Sequence, residues 1–182
     1  NLVHPKEKPI TFRRNDLILD PVKMTIELAS GGARFGNTRD DWGNRFLCNI
    51  RNPLQHVVIE QRYLARNPYL PPVNPLHDVA ESGDQLPVYR ISPPEKWRDL
   101  RAKRWSGDST VTAHMPRSEL VGAGVVTSSS GCTIYRGDAY PPEYRGMAFV
   151  NDVAGNLFYR LKLEPDGVTF KARRIDGQKE FV

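Results

Sequence analysis

One stretch of this chain occurs twice, and that repetition limits the fold more than any other feature. Residues 41–49 read Asp-Trp-Gly-Asn-Arg-Phe-Leu-Cys-Asn and lead to Leu54, Gln55, His56, Val57 and Val58. Residues 144–152 read Tyr-Arg-Gly-Met-Ala-Phe-Val-Asn-Asp and lead to Leu157, Phe158, Tyr159, Arg160 and Leu161. Gly43 aligns with Gly146, Phe46 with Phe149, Leu47 with Val150, Asn49 with Asp152 and Leu54 with Leu157. All five pairs share one offset of 103 residues, with no gap. A turn glycine, a strand, a short polar loop and a second strand make one hairpin of an antiparallel sheet. A sheet unit used repeatedly in this way is the pattern of β-propeller blades.

Periodicity supplies the strands. Leu157, Tyr159, Leu161 and Leu163 alternate with Phe158, Arg160 and Lys162, the two-residue period of a half-buried strand. Residues 132–135 and 147–151 are shorter β-rich runs, separated by a turn containing Pro141, Pro142 and Gly146. Prolines placed there cost no ladder N–H. Upstream, residues 10–13 form a short strand, and residues 24–28 alternate as an outer strand of a preceding blade. Gly31 and Gly32 break that strand, and residues 33–38 open the innermost strand of the next. Residues 121–129 re-enter the sheet and residues 168–175 supply its last strand.

The expected fold class is all-β: a β-propeller segment of about two to three four-stranded blades with a proline-rich insert, in one partial domain over residues 1–182. Residues 1–30 hold the outer strands of a preceding blade, and residues 31–60 the first repeat hairpin. Residues 61–112 are the insert, and residues 113–182 the second repeat blade. That is too little to close a ring, since propellers typically use four to eight blades. Asn67-Pro68, Pro71-Pro72, Asn74-Pro75 and Ser92-Pro93-Pro94 punctuate the insert. Within it, residues 86–91 suit an edge strand and residues 94–104 one or two helical turns. An insert this long is usually functional or packs on a partner.

Composition agrees and excludes some classes. A length of 182 residues suits one domain with a sizeable core. An apolar content of 39% with 15 prolines and 14 glycines favours a loop-rich β protein over a helix bundle. The net charge of +5 is spread among acidic residues, so no nucleic-acid stripe is expected. No apolar run reaches membrane-spanning length, and no signal peptide is visible at Asn1. The missing initiator Met suits a processed piece of something longer. Cys48 and Cys132 show neither Cys-x-x-Cys, nor haem-attachment, nor zinc spacing. They occupy inequivalent repeat positions and read as buried free thiols, with a disulfide as the alternative.

In a propeller, the loops between second and third strands share a face with those leading into each first strand. Here these are residues 49–52, 152–156, 31–37 and 127–131. They carry Arg34, Asn37, Asn49, Arg51, Asn52, Asp152 and Asn156, the candidate cofactor-binding set. Turn capping by side chains accounts for Asn52, Asp152 and Asn156 without any ligand. Arg34 and Arg51 are not turn formers, which keeps binding open for them. His56 is the candidate base, although its mid-strand position and its repeat mate Tyr159 suit a packed histidine. His77, Asp78 and Glu81 lack a third neighbour of metal-ligating geometry, and no metal site is expected. Asp40 and Asp41 diverge at a turn and cannot act as a carboxylate pair. Residues 127–130 lack a Gly-x-Ser-x-Gly frame.

Residues 35–46 (Phe-Gly-Asn-Thr-Arg-Asp-Asp-Trp-Gly-Asn-Arg-Phe), 54–58, 62–70 (Arg-Tyr-Leu-Ala-Arg-Asn-Pro-Tyr-Leu) and 133–146 (Thr-Ile-Tyr-Arg-Gly-Asp-Ala-Tyr-Pro-Pro-Glu-Tyr-Arg-Gly) carry a resemblance. The chain resembles the central part of the planctomycete and verrucomicrobial membrane-bound dehydrogenase family, related to glucose/sorbosone dehydrogenases. The resemblance implies a six-bladed propeller that uses pyrroloquinoline quinone (PQQ) with calcium. It also implies a sugar or alcohol substrate, a c-type cytochrome partner and export to the periplasm or beyond. The remaining blades would come from elsewhere, on this polypeptide or another. One departure matters: sorbosone-type relatives carry a His-Gly pair and basic residues in the loop that here reads Asn151-Asp152-Val153-Ala154-Gly155-Asn156. Two readings follow: part of a quinone-dependent sugar or alcohol dehydrogenase, with Arg34 and Arg51 toward the quinone, or a non-catalytic propeller module binding carbohydrate or a protein partner.

Overall fold

A computed structural model describes residues 10, 12–81 and 85–181. The expected tail over residues 1–9 lies outside them, as does part of the expected strand at residues 10–13, of which Ile10 forms a bridge. The described chain is predominantly antiparallel β, in three sheets that do not close into a ring or barrel among these residues.

The first sheet is a hairpin of β1 (Asn15–Asp20) and β2 (Thr25–Ser30). The expected turn after Asp20 is present, because the Asp20 carboxylate accepts from the amides of Val22 and Lys23 at 3.0 Å each. The sequence reading assigned β2 and missed β1. The second sheet runs β3 (Phe35–Arg39), β4 (Arg45–Cys48), β5 (Gln55–Val57) and β6 (Leu76–Asp78) in order. The third runs β7 (Ser129–Ile134), β8 (Ala148–Asp152), β9 (Leu157–Asp166) and β10 (Thr169–Arg174), again in order. Both are antiparallel meanders of four strands.

The repeat glycines do what the alignment asks of them. Gly43 and Gly146 each stand two residues before the second strand of their sheet, with φ of +88° and +82°. That left-handed region is open to glycine at little cost and strains other residues. The gap-free alignment covers only the second and third strands. Arg39 pairs with Arg45 in one sheet and Ile134 with Ala148 in the other, so the turn between first and second strands is longer in the second copy. The extra residues form a 3-10 turn, Pro142–Tyr144.

The two four-stranded sheets pack on one another around a shared core, with β3 against β7 and β10 against side chains of β4 and β5. Where β3 meets β7, Ile134 of β7 donates its amide to Thr38 Oγ1 of β3 at 3.0 Å. Farther along, Ala172 of β10 donates to the Val79 carbonyl just after β6 at 2.6 Å. One apolar core fills the space between, with Phe46, Leu54, Val126, Val150 and Leu161 all almost wholly buried. Residues 157, 159 and 161 of β9 are buried while 158, 160 and 162 are not, the alternation read from sequence. Burial of such aliphatic and aromatic side chains is the main stabilising term, at roughly 1.5–3 kcal/mol each.

Cys48 and Cys132 are buried free thiols in contact with each other across the two sheets. The neighbouring Cys48, and then burial, push the Cys132 thiol up. Gly36, at φ +67°, lies against both sulfurs, and a Cβ there would come within 2.6 Å of Cys132 Sγ.

The region read as an insert contributes to the sheets and has more helix than expected. Its residues 76–78 are β6, the fourth strand of the first sheet. Residues 86–91 hold one bridge, Pro87 to Val125, rather than an edge strand. The helical turns expected near residue 94 become an 11-residue helix, Lys96–Ser106. It is anchored by Arg98, whose guanidinium donates to the carbonyls of Gly122 and Ser118. No helix of the described residues is long and apolar enough to cross a membrane.

Candidate functional site

The four loops singled out in the sequence do meet at one end of the stacked sheets. Phe35 pairs with Cys48, and Ser129 with Asp152, which brings the start of each first strand beside the end of each second. Ser129 donates its amide to the Ile50 carbonyl at 2.9 Å, and Val153 to the Ser128 carbonyl at 3.1 Å. Loops 49–52, 127–131 and 152–156 are therefore stitched together by backbone.

Most of the polar side chains at this end are used in building it. Asp152 is only 1% exposed. One of its oxygens accepts from the amides of Thr127 (3.0 Å) and Ser128 (3.2 Å), the other from Gly155 (2.8 Å). Its carboxylate is a clamp joining the two loops. Asn49 accepts from the Ile50 amide, and the Asn49 and Asn52 backbones pair with each other in both directions. Asn52 Nδ2 donates to Asp78 at 2.8 Å, and Gln55 to the same carboxylate at 2.7 Å. Asn156 takes φ +50° in an exposed turn, a conformation asparagine tolerates better than most residues. Arg51 is half-buried, whereas Arg34 and Asn37 are exposed on and just before β3.

His56 lies at the sheet interface rather than at this end. It is 4% exposed, stacked on Phe46 (ring centroids 5.1 Å apart) and met edge-on by Phe170 (5.2 Å). Its Nδ1 stands 3.0 Å from Thr169 Oγ1 of β10. Burial holds its imidazole below the ordinary histidine range, with His77 acting in the same sense and Asp40 against it. The ring ties one sheet to the other.

A quinone with its calcium ion needs free carboxylate or carbonyl oxygens for the metal and cations for the quinone oxygens. Asp152, Asn49 and His56 do not fit that requirement. Both Asp152 oxygens accept backbone amides, the Asn49 oxygen is taken by its own turn, and His56 is sealed between two rings. Among the described residues no three His, Cys, Asp or Glu side chains gather as a metal group.

The opposite end of the sheets carries the features that the sequence reading left without a role. Asp40 is buried in the β3–β4 turn, where its carboxylate accepts from the amides of Trp42 (3.0 Å) and Asn44 (2.8 Å) and from Asn44 Nδ2 (2.7 Å). Asp41 crosses to the β7–β8 turn, taking Arg136 Nε at 2.8 Å and Arg145 Nε at 3.2 Å. Arg136 beside it holds the Asp41 carboxyl below the usual range, with Arg145 adding to the effect. Arg136 is thus engaged across the two turns. Between these turns Trp42 stands 85% exposed. It lines a cleft of about 290 Å³ together with Met147, Leu163, Phe170, Glu143, Arg145 and Lys162. A tryptophan inside a polar turn was the available signal; its repeat mate Arg145 gave no hint of it.

Around the corner, the outer face of the third sheet carries an aromatic layer. Tyr140 and Tyr144, brought back by Pro141 and Pro142, stack toward Phe149, and Phe158 and Phe181 complete the layer. Arg160 lies 4.7 Å over Tyr144 and forms a bidentate pair with Asp176.

No curated protein and no solved structure matches this chain. A family model matches residues 2–182, and the chain belongs to that family, described as a domain of unknown function (DUF7133).

Proposed function

We propose that the chain is a non-catalytic propeller module that binds carbohydrate: two neighbouring blades and the outer strands of a third, within a secreted dehydrogenase-like protein. Two four-stranded meanders, each in sequential strand order and packed on one core with their first strands β3 and β7 in contact, support the blade reading. The resemblance to sugar dehydrogenases supports carbohydrate as the ligand class and an exported location.

The fate of His56 carries the non-catalytic part. A base that takes a proton from a sugar hydroxyl must come within hydrogen-bond reach of it. His56 is enclosed by Phe46, Phe170 and Thr169, where no hydroxyl of a substrate can approach. Quinone chemistry and the cytochrome that takes its electrons belong, on this reading, to residues outside this chain.

The test is a paired assay on the native protein. Retention on immobilised glycans should occur, and dye-linked oxidation of glucose or alcohols with PQQ and calcium added should be absent. Dye reduction that is abolished by His56→Gln in a folded protein would refute the reading.

A further inference from the structure

We propose that the cleft beside Trp42 is the saccharide site, with one sugar ring lying on the indole and its hydroxyls reaching Glu143, Arg145 and Lys162. This rests on the carbohydrate-binding reading and adds the place and the residues.

Large aromatic side chains are buried on average, so an 85% exposed tryptophan asks for an explanation. Looseness does not provide one. Asp40 holds the Trp42 and Asn44 amides, the Gly43 amide donates to the Asp40 carbonyl, and Arg39 donates to the Gly43 carbonyl at 2.8 Å. Asp41, next to Trp42, is tied to Arg136 and Arg145 on the facing turn. The indole is thus presented by a turn fixed on both sides, which lowers the ordering cost of binding to it.

The cleft itself is small and mixed in lining. At about 290 Å³ it sits at the low end of small-molecule sites, suited to one or two rings. Its lining combines apolar side chains (Trp42, Met147, Leu163 and Phe170) with polar ones (Glu143, Arg145 and Lys162). A pyranose needs both kinds: an aromatic ring for its face of C–H groups, and polar partners for the hydroxyls around its rim. Charge argues against other ring ligands. Arg145 is offset by Asp41 and Asp138 and Lys162 by Glu164, leaving little net charge for a phosphate or for a cationic ligand. Glu143 makes no hydrogen bond or ion pair among the described residues and is free to accept from hydroxyls.

Calorimetric titration of the native protein with cellohexaose, xylohexaose, maltohexaose and chitohexaose tests this. At least one should bind, and Trp42→Ala should weaken that binding tenfold or more while the melting temperature stays unchanged. Glu143→Gln should weaken it several-fold. Addition of the bound sugar should shift the Trp42 indole N–H resonance. If none of the four binds the native protein, the carbohydrate reading falls and this site with it. If one binds and Trp42→Ala binds it as tightly, carbohydrate binding stands and the cleft assignment is overturned.

Discussion

His56 shows how one side chain can look catalytic in sequence and be structural in space. It lies between Phe46 and Phe170, and burial disfavours its charged form. A histidine whose pKa is lowered in the folded state binds its proton more readily when unfolded, where the value is about 6.5. Its contribution to stability is therefore intact above that pH and is lost as pH falls below it. The melting temperature should decline between pH 7.5 and 5.5, and His56→Gln should flatten that decline. An unchanged slope in the variant would mean that His56 does not titrate on unfolding. Asp152 teaches the same lesson for carboxylates: three backbone amides consume it, at roughly 1.5–3 kcal/mol for a hydrogen bond to a charged acceptor. Sequence favoured turn capping for Asp152 over binding, since aspartate at a strand end caps turns by its own geometry. For Arg34 and Trp42 nothing local decides, because exposure depends on what the rest of the fold leaves uncovered.

The repeated hairpin was legible because it is written locally. Gly43 and Gly146 mark the turns, and the β9 alternation marks the buried face. Both glycines have open space where a Cβ would stand, so replacing either by alanine meets only the backbone penalty of the left-handed region. Gly43→Ala and Gly146→Ala should each cost roughly 1–2 kcal/mol in urea denaturation and agree with each other. Gly36→Ala should cost more, since a Cβ there also meets both cysteine sulfurs. A neutral Gly146→Ala beside a costly Gly43→Ala would break the equivalence. What was not legible is non-local. β6 is three residues long and reaches its sheet only after a proline-rich connection, so no period reveals it. β1 escaped because its alternation, Leu17 and Leu19 against Asp16, Ile18 and Asp20, is blurred by Ile18. The helix over residues 96–106 was read short because it has no clear apolar stripe and is held by Arg98.

At the scale of the molecule, two sheets share one core, joined by His56 to Thr169, Thr38 to Ile134 and Val79 to Ala172. Their first strands meet, β3 beside β7, and the residue after β6, Val79, accepts from β10. Such stacking is how neighbouring blades meet around an axis, with first strands innermost. On this account the loop end and the Trp42 end are the two faces of a larger ring, and the ligand sits on the face of the first-to-second-strand turns. The most direct measurement is an experimental structure of the longest natural polypeptide that carries this chain. The account predicts further four-stranded sheets continuing the stack, with β3 and β7 bordering a central channel. It would be contradicted if β3 and β7 were covered so that these two sheets formed a self-contained sandwich.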